Sequence, residues 1–330
     1  MRFATVLASI ACVAVGAFTV DAVVSAEDYP VRPIKLIVPY SAGGPADVVA
    51  RVLGQRLSAI LGQIFVVEDR GGAGGSIGGR LVANSDPDGY TLLFGATGPL
   101  VISPMVFKLP DYDPSKSLVP IALVGTTSNI LVVNPALPVH SVQELIAYAK
   151  ANPGKLSYSS PGVGTPPHLI GEMLKLKTGI DMVHVPYKGG GNSTQDVIGG
   201  QVQLTFENPA VSLPLARSGS VRALAVTSST RNPQIPELPT MIEAGVPDFV
   251  SVSFTGLVAP AGTPEPIIRK LNAAVNESLK DAAVQSVLQK LGVDIHGGTT
   301  EEFGAFLTHE REKWGEVWRE VTKTAKVQPK

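Results

Sequence analysis

One pattern constrains this chain more than any other: a short apolar run, a turn of small residues, then apolar residues at helical spacing, repeated along its length. Ile34–Val38 is too short for a helix, and Pro39-Tyr40-Ser41-Ala42-Gly43-Gly44 breaks it. Val48, Val49, Val52, Leu53, Leu57, Ile60 and Leu61 then recur on one helical face, so the stretch reads as strand, glycine loop, helix. Gly43 and Gly44 let backbone come close to whatever sits above the strand's carboxyl end, and Pro45 suits a first helical turn. Such a helix starts with unpaired N–H groups and a positive dipole end at an open loop, an arrangement that holds an anion. A tight turn with no ligand is the other reading of the same glycines.

The unit returns. Residues 64–68 form a second strand, followed by Asp69-Arg70-Gly71-Gly72-Ala73-Gly74-Gly75-Ser76 and a short helix ending near Asn84; residues 90–94 run into Gly95-Ala96-Thr97-Gly98. Residues 121–124 and 130–133 are further strands, and Ser141-Val142-Gln143-Glu144 is a capping box. Then the pattern is used again: 156–159 leads into Ser160-Pro161-Gly162-Val163-Gly164-Thr165, 182–185 into Pro186-Tyr187-Lys188-Gly189-Gly190-Gly191-Asn192, and 202–206 ends at Glu207-Asn208-Pro209. Strands at 223–227 and 252–258 precede helices that open at Pro264, Asp281 and Thr299, the last carrying Trp314 and Trp318 as packing residues. This alternation predicts parallel sheets with helices on both faces, in which ligands gather at the strands' carboxyl ends.

Composition bounds the function. Arg2, an uncharged apolar run from Phe3 to Val20, and Val24-Ser25-Ala26 form a secretory signal peptide cleaved after Ala26. A membrane anchor is the competing reading, but no basic stop-transfer cluster follows. Cys12 is the single cysteine and falls within the leader, so a mature chain has neither disulfide nor thiol chemistry. About three hundred residues remain, enough for two domains with their own cores. A net charge of −1 with no basic run argues against nucleic acid or an anionic membrane surface as partner.

Pro39-Tyr40-Ser41-Ala42-Gly43-Gly44, Gly72-Ala73-Gly74-Gly75, Pro87-Asp88-Gly89-Tyr90, Val183-His184-Val185-Pro186-Tyr187-Lys188-Gly189, Arg222-Ala223-Leu224-Ala225-Val226-Thr227 and Leu257-Val258-Ala259-Pro260-Ala261-Gly262-Thr263-Pro264 occur in an order that resembles the Bug (TctC-type) periplasmic substrate-binding proteins of tripartite tricarboxylate transport systems. The resemblance covers nearly the whole mature chain. It implies an α/β type II periplasmic-binding-protein fold: two α/β domains joined by two crossover strands, with a ligand cleft between them. The expected domains are 27–124 with 252–330, and 125–251. The implied function is capture of a small organic carboxylate by hinge closure and delivery to the membrane components of the transporter, by a monomer without cofactor or metal.

Carried onto this chain, the implied ligand-binding set is Tyr40, Ser41, Ala42, Gly43 and Gly44 with Asp47 behind them, and Thr97 after the third strand. Ser159, Gly164, Thr165, His168, Tyr187, Lys188, Gly189 and Asn208 face them from the second domain, with Phe254 on the late strand. Glycine-rich helix starts suit a carboxylate without a buried cationic side chain. The chain departs from the family at Asp69-Arg70-Gly71-Gly72, usually Asn-Arg-Pro-Gly, at Thr165-Pro166-Pro167-His168, usually more polar, and at Ser253-Phe254-Thr255-Gly256, usually Ser-Trp-Phe-Gly. Pro166 and Pro167 have no N–H to offer a ligand. Several positions keep two readings: Asp47 as ligand contact or helix cap, His168 as ligand contact or buried and backbone-satisfied, Tyr187 as cleft wall or packing, and Lys188 as contact or solvated.

Two readings from other classes compete. Gly74-Gly75-Ser76-Ile77-Gly78 matches the nucleophile elbow of serine hydrolases letter for letter, but that elbow places its serine directly between strand and helix, and here Asp69–Gly74 intervene. A ligand-sensing partner of a signalling receptor is the other. The five histidines lack metal-ligand spacing, and no nucleotide-binding glycine motif joins a strand to a helix.

Overall fold

The computed structural model describes residues 29–187, 190–233 and 235–325; the expected leader with Cys12, and Lys188 and Gly189, lie outside them. In chain order, β1 (Ile34–Val38), α1 (Pro45–Leu61), β2 (Phe65–Asp69), α2 (Ser76–Ala83) and β3 (Thr91–Ala96) come first. A π-helical turn (Gly98–Ile102), α3 (Ser103–Phe107) and α4 (Pro114–Ser117) then lead to β4 (Leu118–Ser128). Next come β5 (Ile130–Val133), α5 (Val142–Ala151), β6 (Leu156–Ser160), α6 (Pro166–Thr178), β7 (Met182–Pro186), α7 (Gly190–Ile198), β8 (Leu204–Glu207), α8 (Pro209–Arg217) and β9 (Arg222–Val226). The chain finishes with β10 (Val252–Pro260), α9 (Glu265–Ser278), α10 (Ala282–Lys290), β11 (Asp294–Gly297) and α11 (Thr300–Ala325).

These strands form two mixed sheets, ordered β11-β4-β10-β3-β1-β2 and β7-β6-β8-β5-β9. β1 runs parallel to β2 and β3, and β6 runs parallel to β7 and β8, as expected where helices return the chain to the same sheet end. β1 is apolar on both faces because both are covered: Leu36 faces the cluster shared with Val49, Leu53, Ile267 and Leu271, while Ile37 faces the one shared with Val82, Leu93 and Trp314. A third cluster of Ile130, Val132, Val197 and Leu213 covers one face of the second sheet.

Helix ends follow their sequence signals. Gly62 and Gly179 end α1 and α6 in the left-handed conformation, Asp281 accepts from the Ala283 and Val284 amides, and Thr299 and Glu302 exchange side-chain-to-backbone bonds of 3.1 and 2.8 Å at the start of α11. Around Ser141, Glu144 bonds instead to the His140 amide, one residue before the cap.

The chain passes between the sheets twice, at Asn129 and at Ser251, and Thr227 ties both passages together. Its Oγ1 accepts from the Asn129 N–H at 2.9 Å and donates to the Ser251 carbonyl at 2.6 Å, while its own N–H and C=O bond to Asn129 and Ser251.

Candidate functional site

In the first sheet β1 leaves toward β2 on one side and is flanked by β3 on the other; in the second, β6 lies between β7 and β8. These are the points where strand order reverses, and a crevice opens there beyond the carboxyl ends. The loops so placed are 39–44 and 97–98 in one lobe, and 161–165 and 207–208 in the other.

In the first lobe Ser41, Ala42 and Gly43 are exposed, and Gly43 adopts the left-handed backbone that its lack of a Cβ allows. The Gly43 N–H is not free as a helix-start donor, because buried Asp47 accepts it at 2.8 Å. Asp47 is also 2.7 Å from Arg51, which reaches Asp69 at 2.9 Å. Burial opposes charge at Asp47, yet the Gly43 N–H and the Arg51 guanidinium hold its carboxyl below the ordinary carboxylate range. Asp69 is pushed up, by burial first and by the Asp47 charge second. Asp47 therefore serves as a clamp on the glycine loop, and among the described residues the Tyr40, Ser41, Ala42 and Gly44 amides have no hydrogen-bond partner. The Tyr40 hydroxyl sits against the Gly98 amide, and its pKa is raised by burial. Thr97 is buried and accepts the Phe254 N–H at 2.9 Å, which ties the end of β3 to β10.

The second lobe's loop is more self-contained. Ser159 is fully buried and accepts from the Ser193 hydroxyl at 2.8 Å, which ties β6 to α7. Thr165 closes its own turn by donating to the Gly162 carbonyl at 2.6 Å. The Gly164 N–H points to His168 Nδ1 at 3.4 Å, and among the described residues the amide of exposed Val163 has no hydrogen-bond partner. His168 stacks on His184, ring centroids 4.2 Å apart, with Trp318 of α11 edge-on at 6.4 Å. Burial lowers the two histidines to about 4 and about 3, so both are neutral near pH 7. His168 thus takes the buried reading. Tyr187 donates to Asp196, and burial followed by that carboxylate pushes it up to about 12. The Asn208 side chain caps α8 at the Ala210 amide.

The Phe254 ring is 2% exposed and packs edge-on against Phe303 and Phe306, while its N–H donates to the Thr97 hydroxyl oxygen.

Two residues outside the expected set matter here. Ser103 Oγ donates to the Gly74 carbonyl at 2.8 Å and to the Gly164 carbonyl at 3.1 Å, bridging the loops that follow β2 and β6. Glu207, at the carboxyl end of β8, accepts from Thr194 at 2.6 Å and from the Asn208 N–H at 2.8 Å, and burial raises its pKa. A charge at the end of an apolar strand was the visible signal for Glu207; Ser103 had none.

Ser76 opens α2 after a 3-10 turn at Ala73–Gly75, its Oγ is buried, and among the described residues it has no hydrogen-bond partner. A serine nucleophile needs a base within hydrogen-bond reach, and among the described residues none is bonded to Ser76.

Two lobes with parallel-strand loops turned to a shared crevice, joined by two passages of chain, define a periplasmic-binding-protein fold of type II. The chain belongs to the tripartite tricarboxylate transporter receptor family, TctC, whose model matches residues 49–322. It is 40% identical over 303 residues to the protein BugT of Bordetella pertussis, covering 92% of this chain and 93% of that one. Among solved structures, Rpa4515 of R. palustris with adipate superposes with TM-score 0.82 at 36% identity, covering 88% and 98% of the two chains. MatC of Rhodopseudomonas palustris with bound malate gives 0.80 at 32%, covering 88% and 99%.

Proposed function

We propose that this protein is an exported periplasmic receptor that captures a small organic carboxylate between its lobes, unchanged chemically, and delivers it to the membrane components of a tripartite tricarboxylate-type transporter. The observation that carries the reading is the Ser103 bridge, which brings the loop after β2 within one side chain of the loop after β6. A solute in that crevice meets Ala42 and Gly44 amides from one lobe and the Val163 amide from the other, so peptide dipoles take the role that a fixed cation plays elsewhere. The similar structures with adipate and with malate support a carboxylate as the solute.

The lobes would be 27–124 with 252–330, and 125–251, a division supported by the change of sheet at Asn129 and Ser251. Contacts made only when both lobes grip the ligand would shift the open–closed population. The test is a thermal-shift screen of mono- and dicarboxylates, with mass analysis of any ligand that co-purifies. A saturable rise in Tm with intact recovered acid supports the proposal. Conversion of the acid that disappears in Ser76→Ala contradicts it.

A further inference from the structure

Arg51 meets two carboxylates, and Arg222 donates to three backbone carbonyls at 3.1, 2.8 and 3.3 Å. Arg311, on α11, is different. Its Nε reaches the Leu100 carbonyl at 3.4 Å, and among the described residues it forms no ion pair. Asp113 lies close enough to be felt electrostatically, but its carboxylate is taken by the Ser115 amide at 3.0 Å, the Ser115 hydroxyl at 2.5 Å and Lys116 at 3.2 Å. A partly desolvated cation with one long bond and no ion pair keeps its remaining donors open to solvent and able to meet an incoming acceptor.

An acceptor has room to arrive. Arg311 lines a cavity of about 290 Å³ walled by Leu118, Pro120, Val258 and Leu307, with the Ser115 and Thr308 hydroxyls beside it. Four apolar walls around one cation and two hydroxyls suit a ligand with an anionic head and an apolar body.

We infer that the first lobe holds a second binding site, for a small monocarboxylate with an apolar tail, whose head pairs with Arg311 and whose tail lies against Leu118, Pro120, Val258 and Leu307. The site is separate from the crevice between the lobes: Val258 is four residues along β10 from Phe254, about 13 Å at strand rise. It does not depend on what the crevice binds.

The test uses hexanoate as probe, with backbone amide NMR shifts followed during titration of the purified protein. Saturable shifts at Ser115, Gly304 and Thr308 are expected, with at least tenfold weaker binding at these amides in Arg311→Met, which keeps the side chain's bulk and removes its charge. Gly304→Leu provides a second, independent block. A Cβ at Gly304 meets only Pro120, at 3.6 Å, so the longer side chain enters the cavity without striking backbone. Loss of the three shifts in Gly304→Leu, with those in loops 39–44 and 161–165 retained, supports the second site. Hexanoate shifts confined to those crevice loops, or equal affinity in Arg311→Met, overturn it.

Discussion

Gly43 and Gly44 sit side by side and do different work. Gly43 has φ +79° and no atom within 4 Å of where a Cβ would lie, so Gly43→Ala is a strain problem and not a space problem; a loss of about 1 kcal/mol in denaturant unfolding is expected. Gly44 has φ −77°, and a Cβ there would lie 3.4 Å from the Ser41 carbonyl, so Gly44→Val folds normally. Its branched side chain would stand over the Ala42 and Gly44 amides, and a fall in carboxylate affinity of tenfold or more by calorimetry, at unchanged Tm, is expected. Unchanged affinity would remove those amides from the site. Asp47→Ala strips the clamp from the Gly43 N–H and leaves Arg51 with one carboxylate, a loss of about 2 kcal/mol measured by urea unfolding.

The stacked histidines carry a pH signature at the same scale. Their folded pKa values of about 4 and about 3 lie below the ordinary 6.5, so the unfolded chain takes up protons that the folded one refuses. Stability is complete above pH 6.5 and falls as the pH drops toward 4, each residue lowering the unfolding free energy by up to about 1.4 kcal/mol per pH unit. His184→Phe keeps a ring against His168 and removes one titration. Its urea midpoint should fall less than that of the parent protein between pH 7 and pH 5; parallel curves would refute the assignment.

At the scale of elements, the Thr227 side chain is bonded to both passages between the lobes. Thr227→Val keeps its shape and leaves the Asn129 N–H and the Ser251 carbonyl without their side-chain partner, so a loss of about 2 kcal/mol is expected in chemical unfolding. A change under a few tenths of a kcal/mol would mean that the passages are held elsewhere.

β1, its glycine loop and α1 were legible because the pattern changes period within a dozen residues and Pro45 marks the first turn. β11 was not, since Asp294, Ile295, His296 and Gly297 have neither apolar alternation nor length, and the strand exists through pairing with β4. The direction of Phe254 was equally hidden. β10 shifts register against β4 between Thr255 and Gly256 and again between Leu257 and Val258, and each irregularity changes which side chains share a face. Among site residues, Asp47 was visible as a first-turn acid, whereas its grip on Gly43, the inward turn of Ser159 and the bridging hydroxyl of Ser103 depend on packing between distant segments.

For the whole molecule, the Ser103 bridge is the contact whose removal should alter closure more than folding. Ser103→Ala deletes one hydroxyl that donates across the lobes, so carboxylate affinity should fall about three- to tenfold while Tm in the absence of ligand changes little. Equal affinity would mean that the bridge does not report on the gripping state.

The most direct test is a crystal structure with the carboxylate that raises Tm most in the screen. The expected result is a carboxylate group met by backbone N–H groups of loop 39–44 and of loop 161–165 together, with no lysine or arginine side chain within ion-pair distance. A carboxylate seated on one lobe alone, or paired to a cationic side chain in the crevice, would contradict capture by opposed peptide dipoles.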